Sequence, residues 1–153
     1  MVPGDINESV VVQRASWVQK MTDALRDLPI QNKDEFLQNR HLVAAAESYL
    51  RRSLEALFDI GRHILTKRFV YPATEYKEIA KGLSEQKVIV GTEAEWMRKM
   101  AGYRNRMVHF YHEITPDELQ DICANHIGEV SQLLESLLRW IRENKRGGGV
   151  SNE

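Results

Sequence analysis

The chain has 153 residues, which suits one domain burying roughly 70% of its unfolded surface and is short for two. Its single cysteine, Cys123, excludes an internal disulfide framework and a zinc site of CxxC spacing, and fits a reducing, cytoplasmic compartment. With 21 Lys and Arg against 22 Asp and Glu, the net charge of -1 excludes a broad nucleic-acid-coating surface while leaving room for a small local one.

The pattern is helical nearly throughout, with four prolines near expected helix boundaries. The opening residues Met1 to Asp5 lack the basic and apolar regions of a signal peptide, so none is expected. No run of about eighteen apolar residues predicts a membrane span. The first helix is expected from about Asn7 to Leu28, with Val11, Val18, Met21, Leu25 and Leu28 on one face and Pro29 ending it. A second runs from near Asp34 to about Thr66 on a stripe of Val43, Leu50, Leu54, Leu57 and Ile64. A shorter helix after Tyr71 and Pro72 carries Tyr76, Ile79, Ala80 and Leu83, followed by Val88, Ile89 and Val90 as an apolar loop or short extended piece. Thr92 and Glu95 read as a capping box for a helix over about 93–112. Thr115, Pro116, Asp117 and Glu118 form a stronger start signal for a last helix. Its seam is Leu119, Cys123, His126, Val130, Leu133, Leu137 and Trp140, and Arg142, Lys145 and Arg146 suit its C-terminal end. Four amphipathic helices and one short one predict an all-α antiparallel four-helix bundle with an additional short helix. One domain over 1–146 and a disordered tail over 147–153, opening on three glycines, are expected.

Chemistry concentrates in residues 97–112, which hold Arg98, Lys99, Arg104, Arg106, His109 and His112 and no acid. At about 100° per residue, Trp96, Met100, Tyr103, Met107 and Phe110 form the expected core stripe. Arg104, Asn105, His109, Tyr111 and His112 fall off it, with Met97, Ala101 and Val108 among them, a mixture that suits a surface facing another protein chain. Arg104 and His109 are five apart, so one ideal helix does not bring them together directly; either the long Arg104 stem curls towards His109, or the two complete a site with copies from a second subunit. Arg, His and Asn so placed fit phosphodiester chemistry. Histidine takes and gives protons near neutral pH, and guanidinium matches phosphate oxygens and stabilises charge developing on them. The plainer reading is a solvated helix face. His109 and His112 lack a carboxylate or cysteine partner for a metal, so no metal site is expected.

Outside this stretch, His126 reads as a hydrogen-bonded core residue and Trp17, Trp96 and Trp140 as core. Glu47, on the seam of the second helix, needs a partner, with Arg104 or Arg52 as candidates. Arg62, His63, Lys67 and Arg68 read as a positively charged helix end.

The run Tyr103-Arg104-Asn105-Arg106-Met107-Val108-His109-Phe110-Tyr111 resembles the signature of HEPN-domain ribonuclease toxins of the HepT type: Arg, a polar residue, three more, His, any residue, Tyr. The likeness extends through the long helix with Glu47, Asp59 and Ile60, the step from Pro72 to Tyr76, and Leu83 followed by Val88 and Ile89. It implies a HEPN-like helical homodimer that cleaves RNA at a cleft between subunits without a metal ion or other cofactor. Arg104 and His109 would be the catalytic pair, supported by Asn105. Tyr111 would accept AMP from a minimal nucleotidyltransferase antitoxin, setting bulk and negative charge beside the RNA site. Arg98, Arg106 and His112 are assigned to RNA contact, although the family pattern itself gives Arg106 no role. The other reading is a non-catalytic nucleotide- or partner-binding subunit of a nucleotidyltransferase. Two copies of the 97–112 segment would put eight Lys and Arg charges, four from each chain, around one cleft.

Overall fold

The computed structural model describes residues 4–108 and 114–145; His109, Phe110, Tyr111, His112 and the tail over 147–153 lie outside them. The described residues form seven helices: α1 (Glu8–Arg26), α2 (Lys33–Gln38), α3 (Arg40–Phe69), α4 (Tyr76–Glu85), α5 (Gly91–Val108), α6 (Pro116–Asn125) and α7 (Ile127–Glu143). No strand occurs among them, and none is long and apolar enough to cross a membrane.

The four long helices α1, α3, α5 and α7 make the bundle, and α3 touches every other helix. Cross-helix contacts set the directions. Asn7 meets His63 and Arg14 meets Asp59, so α1 and α3 run antiparallel. Arg26 meets Ser131 while Glu8 meets Lys145, which makes α1 and α7 antiparallel as well. The apolar spacing of α3 accounts for its central place: Leu50, Leu54, Leu57 and Ile64 are fully buried, as expected, and Val43 is partly so. Gly61 on α3 allows α4 to approach closely, since a Cβ there would come within 2.9 Å of Leu83 Cδ1.

Two predicted helices prove to be broken. The second divides at Asn39, which leaves helical geometry (φ -115°, ψ 100°) so that its side chain can accept from the backbone N–H groups of His41 and Leu42. The last divides at His126 (φ -124°, ψ -1°), whose Nδ1 lies 2.7 Å from a Glu129 carboxylate oxygen. The break at His126 keeps the burial phase, with Cys123, Ile127 and Val130 buried across it, so periodicity alone did not reveal it; at Asn39, residues 38–41 are all exposed. The Thr115 cap is present, its side chain accepting from Glu118 N–H at 3.2 Å. The Thr92–Glu95 box is not: α5 already starts at Gly91, and Glu95 pairs with Arg98. A capping box instead opens α4, between Glu75 and Glu78.

Trp17 is 40% exposed on the outer face of α1 and is not core, whereas Trp96 and Trp140 are half-buried against it. The expected positive end of α3 is also more engaged than a solvated helix end. His63 Nε2 accepts the Asn7 N–H, Arg62 reaches Asp59, and buried Arg68 lies over the Trp140 ring.

Candidate active site

The core-facing stripe of α5 is rotated from the expected one: Met100 is common to both, and Trp96, Tyr103 and Met107 pack at its edge. Met97, Met100 and Ala101 are its fully buried residues, while Trp96, Tyr103 and Met107 are only half-buried. Met97, Met100 and Ala101 stand seven, four and three residues before Arg104, so they point along nearly the same direction. Arg104 therefore continues the inward stripe rather than standing on an outer polar face. The Met97 and Ala101 positions that suggested contact with a second chain are filled by this chain's own interior.

At the end of that stripe the Arg104 side chain is 23% exposed. Its Nε and Nη2 donate to a single oxygen, Oε2 of Glu55 on α3, at 3.2 and 3.1 Å. Its Cζ lies 4.2 Å from the centroid of the Tyr76 ring at the start of α4, a cation–π contact worth about 0.5–2 kcal/mol. Tyr76 in turn stacks on fully buried Phe58, with centroids 5.0 Å apart and ring planes at 23°. Burial holds the Tyr76 phenol above its ordinary range, partly opposed by the Arg104 charge, so the ring stays neutral under the guanidinium. A free arginine carries about 2 kcal/mol of side-chain entropy, and much of that loss has been taken here before any ligand arrives.

Glu55 also lies 3.7 Å from Arg51 Nη1 through its other oxygen, and Arg51 Nε lies 3.5 Å from Glu47. Glu47 thus pairs with neither Arg104 nor Arg52, and it is only part-buried. The partner of Arg104 is Glu55, which the sequence reading missed. A signal was present: Glu47, Arg51, Glu55, Asp59 and Arg62 recur at three- and four-residue spacing on an otherwise apolar helix, and such a charged stripe needs partners from other elements.

Asn105 is half-buried next to Arg104. Arg106 turns elsewhere, its Nη1 and Nη2 each 2.7 Å from a different carboxylate oxygen of Glu118 on α6. This fork explains why Glu118 does not close the capping box at Thr115. Arg98 pairs with Glu95 on the solvent side of α5. There a groove of about 520 Å³ between α4 and α5 is lined by Lys77, Lys81, Arg98 and Lys99, with Glu85 and Glu95 among them. The expectation of an uncompensated basic segment is accordingly corrected. Three of its four Lys and Arg residues meet carboxylates, two of them supplied by other helices. His109, Tyr111 and His112 follow the end of α5 and lie outside the described residues.

A family model described as Ribonuclease HepT-like matches residues 18–137, most of the chain and all of the helices that build this site. The chain belongs to that family. It is 25% identical over 101 residues to the mRNA nuclease HepT of Shewanella oneidensis, spanning 66% of this chain and 76% of that protein. The fold resembles that of the tri-AMPylated Shewanella oneidensis HEPN toxin solved in complex with its MNT antitoxin. That match has a TM-score of 0.77 at 19% identity and covers 85% of this chain and 97% of the toxin. A toxin–antitoxin structure with AMP-PNP is similar at a TM-score of 0.75 and 19% identity, over 84% of this chain and 97% of its counterpart.

Proposed function

We propose that this protein is a metal-independent endoribonuclease toxin of a toxin–antitoxin system, acting at a cleft between two copies of the chain. The observation that carries the reading is the seat of Arg104. Its guanidinium is held by a carboxylate and an aromatic ring five residues before His109, in a chain of the ribonuclease HepT-like family. One His109 imidazole would remove the proton from a ribose 2′-hydroxyl as the 2′-oxygen attacks phosphorus. The other would protonate the departing 5′-oxygen as the P–O5′ bond breaks, leaving a 2′,3′-cyclic phosphate. Arg104 would stabilise the negative charge on the phosphorane oxygens, with Asn105 supporting the pair.

Arg98 and His112 are proposed as RNA contacts. The Arg98 assignment is supported by its groove, where four cations outnumber two carboxylates. Arg106 would serve RNA only by giving up Glu118, so its stronger role is structural. Tyr111 is proposed as the acceptor of AMP from a minimal nucleotidyltransferase antitoxin, whose phosphate would repel RNA from the site.

The test is RNA cleavage by purified protein in EDTA. Wild type should leave 2′,3′-cyclic or 3′-phosphate ends, and His109→Ala and Arg104→Ala should each lose at least about 100-fold. Wild-type rates in both variants would end this reading. Binding to a nucleotidyltransferase with RNA left intact would replace it by a non-catalytic binding subunit.

A further inference from the structure

Resting on that ribonuclease reading, we infer that Glu55, with Tyr76 as its shelf, is a positioning residue that aims one edge of the Arg104 guanidinium at the scissile phosphate. The argument is one of donors. Arg104 has five N–H groups in a rigid plane. Nε–H and one N–H of Nη2 converge on Glu55 Oε2, and the plane lies over the Tyr76 ring. Among the described residues no acceptor engages Nη1. The edge turned away from Glu55 is therefore the one left for phosphate oxygens, while the Glu55 side fixes its direction. The pairing differs from that of Arg106, where both Nη atoms are taken by Glu118 and no terminal edge is spared.

Glu55 is itself held between two arginines, with Arg51 on its other oxygen. Its carboxylate is thus kept from swinging out to follow solvent, and the Phe58–Tyr76 stack keeps the shelf from tilting. Two elements distant in sequence, α3 and α4, thereby set the orientation of a side chain on α5. A displacement of about 1 Å at such a group costs roughly 100-fold in rate.

The test uses kcat and KM for RNA cleavage by full-length protein. Glu55→Ala should lower kcat roughly 100-fold with KM little changed. Glu55→Gln, whose amide oxygen can accept the same two bonds, should retain most of the activity. In an Arg104→Ala background, Glu55→Ala should cause no further loss, because it acts only through that arginine. An active wild type, an inactive Arg104→Ala and an unchanged or faster Glu55→Ala would overturn the positioning role alone. Equal rates for wild type and Arg104→Ala would instead sink the ribonuclease reading beneath it. If Glu55→Ala does not fold, NMR exchange of the wild-type Arg104 Nε–H decides. Exchange as fast as that of exposed Arg52 would overturn the inference, and slow exchange would uphold it.

Discussion

Arg106 and Glu118 form a two-bond fork, each pair of atoms 2.7 Å apart, that ties the last turn of α5 to the first turn of α6. The two residues bracket the segment carrying His109, Tyr111 and His112. A planar guanidinium matched to a carboxylate fixes orientation as well as distance, and the Glu118 bond holds the Arg106 charge more firmly than usual.

Both partners of the fork are more than a third exposed, so its stabilisation should be modest, about 0.5–1 kcal/mol. A double-mutant cycle with Arg106→Ala and Glu118→Ala, read by urea unfolding, should give a coupling of that size. Arg106→Ala should keep far more RNA cleavage than Arg104→Ala. A loss equal to that of Arg104→Ala, with Glu118→Ala near wild type, would place Arg106 in direct contact with substrate.

Phe58 supports the shelf beneath Arg104 and is fully buried. Phe58→Ala should cost about 3–5 kcal/mol in chemical unfolding. Phe58→Leu should cost less, because it fills more of the space. Its cleavage rate should nevertheless fall, since a stacked ring under Tyr76 is lost. A Phe58→Leu protein with the wild-type rate would show that the stack does not matter to Arg104.

His63 accepts the Asn7 N–H at 2.9 Å through Nε2, an arrangement that requires the neutral ring. Burial, and then the Lys67 charge, hold its pKa below the ordinary 6.5. The folded chain therefore takes up this proton less readily than the unfolded one. The stability contribution is complete above 6.5 and is lost as pH falls from there through the lower folded value. Melting temperatures measured across that window should drop more steeply for wild type than for His63→Gln, whose amide oxygen keeps the acceptor without titrating. Parallel curves would remove His63 as the cause.

Coexpression with a minimal nucleotidyltransferase should add the mass of one or more AMP units to the chain and suppress RNA cleavage. Tyr111→Phe should abolish the added mass while leaving the uninhibited rate near wild type. Retained mass in that variant would move the acceptor to another residue.

The helical class, the main core stripes of α1, α3 and α7, and the stretch where chemistry concentrates were legible because each rests on local period or on residue type along the chain. The rotation of α5 was not. Trp96 and Met107 look more apolar than Ala101, yet small Ala101 and flexible Met97 are the ones buried in the interior, which leaves Trp96 at the margin. The same rotation turned Arg104 from an outer to an inner position, which no hydrophobicity scale would assign to an arginine.

The near-zero net charge, by itself, set only how large a basic site could be. The run 97–112 carries no acid, and along the chain it stands out as positive. Folding brings Glu55 to Arg104 across 49 positions and Glu118 to Arg106 across 12, so the charges that balance the segment come mostly from other helices. The residue types and their order placed Arg104, Asn105, His109 and Tyr111 in one short motif. Tertiary packing alone decided which arginine keeps an open edge and which is fully engaged, because that depends on which carboxylate each guanidinium can reach once the helices are side by side.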